Sequence, residues 1–173
     1  EIQNSNASGD ARRSNCCKTT VKDEQTDFMI LEGKFMKPMR MHHVGIVLPE
    51  KSYAQDLIDM FGLEVDYTGF VNAYSADLIF TKYGEKESPI EFIIPKEGVL
   101  TKFNNGKGGI AHVAFEVDDI ESCSKELIEK GFEMLETEAV EGTSDIIVNF
   151  LRPKYSHGIL VELVQTVGEI QRD

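Results

Sequence analysis

One pattern occurs twice in this chain. Met41-His42-His43-Val44-Gly45-Ile46-Val47-Leu48 and Ile110-Ala111-His112-Val113-Ala114-Phe115-Glu116-Val117 are both apolar runs with a histidine near the start. Each leads into an acidic, helix-like segment. Each is then answered, much later, by an apolar run holding one glutamate: Glu91 within Pro89-Ile90-Glu91-Phe92-Ile93-Ile94, and Glu162 within Ile159-Leu160-Val161-Glu162-Leu163-Val164. His43 and Glu91 are 48 residues apart, His112 and Glu162 are 50 apart. A long internal period restricts the fold strongly, because each half must build the same unit and the units must bury their apolar faces together.

Read locally, each half gives the same string of elements. Met41 to Leu48 is β-branched and apolar and ends at Pro49, so it reads as a strand. Residues 50–61 carry Tyr53, Leu57, Ile58 and Phe61 at helical spacing, with Gly62 as C-cap. Leu63 to Phe70, Tyr74 to Tyr83 and Pro89 to Ile94 read as three further strands. In the second half Ile110 to Val117 is a strand, and Asp118 with Glu121 stands in capping-box register for a helix. That helix has the apolar stripe Ile120, Cys123, Leu127 and Ile128, and Gly131 closes it. Phe132 to Thr137, Ile146 to Leu151 and Ile159 to Val164 complete the set. The expected fold class is α+β: two tandem βαβββ modules, at 41–95 and 109–165, forming a curved eight-stranded mixed sheet around a central site.

The domain so defined spans 36–173, and residues 1–35 differ from it. They have little to bury and no period, as expected of a disordered extension. Arg12, Arg13, Lys18 and Lys22 hint at an organellar transit peptide, but the acids among them argue against it, and no secretory h-region is present. No apolar run reaches the ~20 residues a membrane helix needs. A net charge of −12 argues against a nucleic-acid surface, which needs clustered cations. Cys16, Cys17 and Cys123 make neither a disulfide framework nor a zinc pattern, so a reducing, cytoplasmic setting is expected.

Strand alternation puts His43 on one face with Gly45 and Val47, away from His42, and His112 with Ala114 and Glu116. Glu91 and Glu162 are charges inside apolar strands, and an unpaired buried carboxylate costs several kcal/mol. A single strand histidine is usually a core or surface residue, but four such groups at equivalent places in two repeats point elsewhere. If the modules pack about a pseudo-twofold axis, His43, Glu91, His112 and Glu162 converge. Two imidazoles and two carboxylates suit one divalent ion: zinc, nickel, cobalt or manganese. His42 and His157 lack a counterpart in the repeat and are given no metal role.

At these residues the chain resembles the vicinal oxygen chelate superfamily, and within it the methylmalonyl-CoA epimerase and glyoxalase I-like branch. The matching pieces are His42 to Val47, Ile90-Glu91-Phe92, Gly108-Gly109-Ile110-Ala111-His112 through Ile120, and Phe150-Leu151-Arg152-Pro153-Lys154 running into Gly158 to Leu163. Together they span 41–165. The resemblance implies a metal that chelates neighbouring substrate oxygens and stabilises an enolate, while a carboxylate moves the alpha proton. It implies His43, Glu91, His112 and Glu162 as ligands, Glu162 also as base, and Asp77 as a second acid/base. Lys107, Arg152 and Lys154 are the candidates to meet substrate phosphates or a carboxylate. The implied activity is a metal-dependent isomerase acting on a thioester such as methylmalonyl-CoA. The alternatives are a lactoylglutathione lyase acting on a methylglyoxal hemithioacetal, and a non-catalytic binding or resistance protein of the same fold. The expected assembly is a homodimer, with neither nucleic acid nor membrane as partner. Ser88-Pro89-Ile90 before Glu91, a short linker before His112, and Arg152 and His157 beside the Pro-Lys turn depart from the epimerase pattern.

Overall fold

The two histidine-bearing strands lie side by side at the centre of one sheet. In a computed structural model that describes residues 40–168, β1 (Arg40–Val47) pairs antiparallel with β5 (Gly109–Glu116). The expected disordered extension, its basic residues, Cys16 and Cys17 lie outside the described residues. On one side of β1 stand β4 (Ile90–Pro95), β3 (Ala76–Thr81) and β2 (Val65–Val71). On the other side of β5 stand β8 (Leu160–Thr166), β7 (Ile146–Leu151) and β6 (Val140–Glu141). The order β2-β3-β4-β1-β5-β8-β7-β6 reads the same for both modules outward from the β1/β5 seam. β4 runs parallel to β1 and β8 parallel to β5, and the outer pairs are antiparallel. This is the expected tandem βαβββ arrangement.

The helices cover one face of the sheet. Ile58 and Ala54 of α1 (Lys51–Phe61) pack with Ile79, Phe92 and Ile94, while Ile120 and Cys123 of α2 (Ile120–Glu129) pack with Met134 and Leu163. The opposite face carries a second pair of clusters, Val47, Val71, Leu78, Phe80 and Ile93 in one module and Ala114, Ile146, Val148, Phe150 and Val164 in the other. Val71 of β2 at one end of the sheet, and Gly142, Ile146 and Val148 from the β6–β7 turn and β7 near the other, line one cavity on that face, so the sheet curves around it.

Four local expectations need correction. The buried stripe of α1 is Ala54 and Ile58, an i, i+4 pair, whereas Tyr53 and Phe61 are exposed. Ile128 is likewise exposed on α2. The N-cap of α2 is Asp119, whose side chain accepts from the backbone N–H of Ser122 at 2.9 Å, so Asp118 and Glu121 form no capping box. Glu121 instead accepts from the backbone N–H of Ala139. Finally, 132–137 is no strand. Met134 makes an isolated bridge to Leu151, and the Asn149 side chain takes up both the N–H and the C=O of Glu136 at 3.2 Å each, replacing a ladder there. Gly62 does cap α1 in the left-handed conformation, at φ 63°. The linker is not plain loop either. It carries a 3₁₀ segment, Val99–Gly106, whose Leu100 and Phe103 pack on the inner cluster.

Candidate metal centre

Register brings the four side chains of the repeated frame together. One rung across the seam reads Glu91–Gly45–His112, and the other reads His43–Ala114–Glu162. In each rung a small residue separates the carboxylate of one strand from the imidazole of another. Gly45 is two residues after His43 and Ala114 two after His112, so the repeat places the small residue as regularly as the histidine. The spacing at Gly45 is strict: a Cβ there would lie 2.1 Å from His112 Cε1.

The side chains of His43, Glu91, His112 and Glu162 are all buried. Nε2 of His43 and Nε2 of His112 are 2.9 Å apart. Glu162 Oε2 lies 3.0 Å from each of these nitrogens, and Glu91 Oε2 lies 3.3 Å from each. Donor atoms of His43, Glu91 and His112 form a group able to hold a metal ion. Two donors at about 2.1 Å from one cation are about 3.0 Å apart at a right angle and about 3.4 Å apart at a tetrahedral angle. The carboxylate–imidazole spacings of 3.0 and 3.3 Å fall in that span, and the 2.9 Å between the two nitrogens lies just below it. Glu162 Oε2 adds a second sign, since it is buried and close to both imidazoles yet has no hydrogen-bond partner. An acceptor left in that state ordinarily costs stability. The donor set therefore fits a divalent cation.

The electrostatics of the cluster are those of four charges forced together. Burial works against protonation of His43, but the carboxylates of Glu91 and Glu162 outweigh it and push its pKa up to about 9. Burial opposes His112 in the same way, and Glu162 and Glu91 push it up to about 10. Burial alone would raise Glu91, yet His43 and His112 hold it below the ordinary carboxylate value. Glu162 is depressed for the same reason against the same burial penalty, His112 and His43 being its partners. A cation would supply the positive charge that both carboxylates otherwise draw from protonated imidazoles.

His42 does not face away from His43. The β1–β5 register shifts between Met41 and His43, and this bulge turns both imidazoles inward. Their Nδ1 atoms are 2.8 Å apart. Burial, then His43 and Arg40, lower the pKa of His42 to about 4, so it is neutral near pH 7. Simple alternation missed this contact.

Above the cluster lies a cavity of about 240 Å³. Glu91, His112 and Glu162 contribute to its lining, and Leu78, Ile93, Phe103 and Phe150 are among its apolar walls. Tyr74 and Thr143 also line it, and the side-chain oxygen of each is buried without a hydrogen-bond partner. Neither was found from sequence, since they lie in the equivalent β2–β3 and β6–β7 turns, where the two halves carry different residues. Asp77 is not among the lining residues, whereas Ala76 and Leu78 on either side of it are, and its carboxylate pairs with Lys96 at 2.5 Å. Arg152 and Lys154 both reach Glu133, at 3.6 Å and 2.6 Å, and Lys107 caps the 3₁₀ segment. His157 sits at φ 54° in the turn before β8, apart from the cluster.

The duplicated sheet thus sets paired imidazoles and carboxylates on the seam between its two repeats. Comparison with known proteins agrees. The model of the Glyoxalase/Bleomycin resistance protein/Dioxygenase superfamily matches residues 42–150, and the chain belongs to that superfamily. It is similar to the mitochondrial methylmalonyl-CoA epimerase of Mus musculus, at 30% identity over 129 residues covering 73% of this chain and 72% of the mouse protein. It is also similar to the ethylmalonyl-CoA/methylmalonyl-CoA epimerase of Cereibacter sphaeroides, at 34% identity over 133 residues covering 73% of this chain and 97% of that one. In fold it matches a variant of the Streptomyces coelicolor methylmalonyl-CoA epimerase solved with 2-nitronate-propionyl-CoA. The TM-score is 0.71 and the identity 24%, over 76% of this chain and 100% of the other.

Proposed function

We propose that this protein is a metal-dependent epimerase that moves the proton alpha to a thioester carbonyl, with methylmalonyl-CoA as substrate. The observation that carries the reading is the meeting of two imidazoles and two carboxylates, at metal-donor spacing, beneath a largely apolar cavity. The names of the mouse and Cereibacter sphaeroides relatives agree with it.

His43, Glu91, His112 and Glu162 would hold the ion: zinc, nickel, cobalt or manganese. Once bound, a divalent cation supplies positive charge where the thioester oxygen becomes negative. Glu162 is the base. It takes the proton from the alpha carbon while the C–H electron pair becomes a C=C bond and the C=O π pair moves onto the carbonyl oxygen, leaving a planar carbon. Return of a proton to the opposite face inverts the centre, and return to the same face restores it. Asp77 faces away from the cavity, so we assign the return from the opposite face to Tyr74. Its buried hydroxyl lines the wall, and burial, Glu136 and Glu162 push its pKa up, so it carries its proton near neutral pH. The apolar walls exclude water that would otherwise compete for these positions.

Lys107, Arg152 and Lys154 are proposed to meet the phosphates of the CoA tail, with Arg152 and Lys154 exchanging their present contact with Glu133. A homodimer would cover apolar surface such as Met60 and Phe61 at the end of α1, which are 70% and 66% exposed. Among the described residues no helix is long and apolar enough to cross a membrane. We place the protein in a reducing compartment, the cytoplasm or, as the name of the mouse relative says of that protein, the mitochondrion.

The test is proton exchange. Metal-loaded protein incubated with (2R)- or (2S)-methylmalonyl-CoA in deuterated water should take up deuterium at the alpha carbon and equilibrate the epimers. No uptake, together with turnover of the methylglyoxal–glutathione adduct, would replace the epimerase reading with the lyase.

A further inference from the structure

We propose that His42 is a positioning residue that holds His43 with its Nε2 lone pair directed at the centre. The inference rests on the reading of His43 as a metal ligand. Nε2 of His43 is the nitrogen that faces His112, Glu91 and Glu162. A neutral imidazole has one N–H and one lone pair, so a lone pair on Nε2 requires the proton on Nδ1. That proton needs an acceptor, because the ring is buried. Nδ1 of His42 stands 2.8 Å away and is the acceptor, which leaves the proton of His42 on its own Nε2. Ligand histidines usually find this partner in a carboxylate, a backbone carbonyl or water. Here a second imidazole takes the place.

The geometry is built rather than incidental. On a regular strand, adjacent side chains point to opposite faces. The register shift between Met41 and His43 breaks that alternation at this point and brings the two rings to a centroid distance of 5.1 Å at 78°. Phe80 packs edge-on against His43 at 5.3 Å, so the ring of His43 is held from a second side. The device is also asymmetric. The residue before His112 is Ala111, which has no polar side chain, so only one half of the duplicated frame carries this support.

The test separates this inference from the ligand reading itself. Zinc affinity would be measured by chelator competition on the full chain, for the wild type, His42→Ala, His42→Asn and His43→Ala. His42→Ala should bind zinc roughly 10–100-fold more weakly, the range typical of losing such a partner. His42→Asn, whose Oδ1 can accept from His43 Nδ1–H, should recover most of that loss. His43→Ala with unchanged zinc affinity would overturn the ligand reading on which this one rests. Loss in His43→Ala, with wild-type affinity in His42→Ala or no recovery in His42→Asn, would overturn the positioning role alone. Nitrogen-15 NMR of the zinc-loaded wild type needs no variant to fold: His43 should show a protonated Nδ1, and an unprotonated Nδ1 would refute the inference.

Discussion

Gly45 decides where His112 can sit. It fills the gap between Glu91 and His112 in one rung, as Ala114 does between His43 and Glu162 in the other. Adding a methyl at Gly45 would put carbon 2.1 Å from the imidazole, so the ring must leave its place. Gly45→Ala should therefore lower metal affinity by on the order of a hundred-fold and destabilise the protein by about 1–3 kcal/mol, the usual cost of overpacking. Chelator competition and thermal unfolding would measure both, and wild-type metal affinity would contradict the placement. At this scale the repeat made His43, Glu91, His112 and Glu162 visible in the sequence, because each has a partner at the same place in the other half. His42 was hidden by a bulge that no turn residue announces. Asp77 lies on the face away from the cavity. Its neighbours Ala76 and Leu78 are apolar and face the cavity, so alternation along the strand already put Asp77 on the other face.

Among the elements, those with a strong period were legible and those held by side-chain contacts were not. β1, β5, β4 and β8 are apolar runs bounded by turn residues, and each falls within a residue or two of its expected limits. The helices were visible as segments, but their buried stripes were set by packing that hydropathy does not encode. On α1 the small Ala54 takes the inner position, leaving the larger Tyr53 and Phe61 in solvent. The stretch 132–137 has Phe132 and Met134 alternating with Glu133, yet its backbone pairing with β7 stops after Leu135 and the Asn149 side chain takes the backbone of Glu136 instead. The segment Val99–Gly106 is broken at Phe103, Asn104 and Asn105, whose backbone is not helical, with both asparagines at positive φ, and it is this kinked segment that brings Leu100 and Phe103 over the cavity.

For the molecule as a whole, the cluster makes stability depend on pH in opposite ways with and without metal. In metal-free protein, His43 and His112 have pKa values raised from 6.5 to about 9 and about 10. Their contribution is complete below 6.5 and disappears as pH rises through 9 and 10. Glu91 and Glu162 are lowered from 4.5, so their contribution is present above 4.5 and lost as pH falls. His42, lowered from 6.5 to about 4, works the other way: its neutral form costs stability as pH falls below 6.5, so the metal-free protein should be most stable near pH 6.5, losing stability toward acid and toward alkaline pH. Metal binding requires neutral imidazoles, so added metal should stabilise more as pH rises through neutrality. Thermal unfolding across pH 5 to 10, with chelator and with metal, would check both slopes, and identical profiles would contradict the shared role of the cluster.

The duplicated frame has one meaning if it is a metal centre, and metal content measures that directly. Elemental analysis of the purified protein should find about one divalent ion per chain, retained through dialysis and lost in Glu162→Ala and in His112→Ala. Full occupancy in both variants, with the fold intact by circular dichroism, would show that the two imidazoles and two carboxylates meet for some other reason.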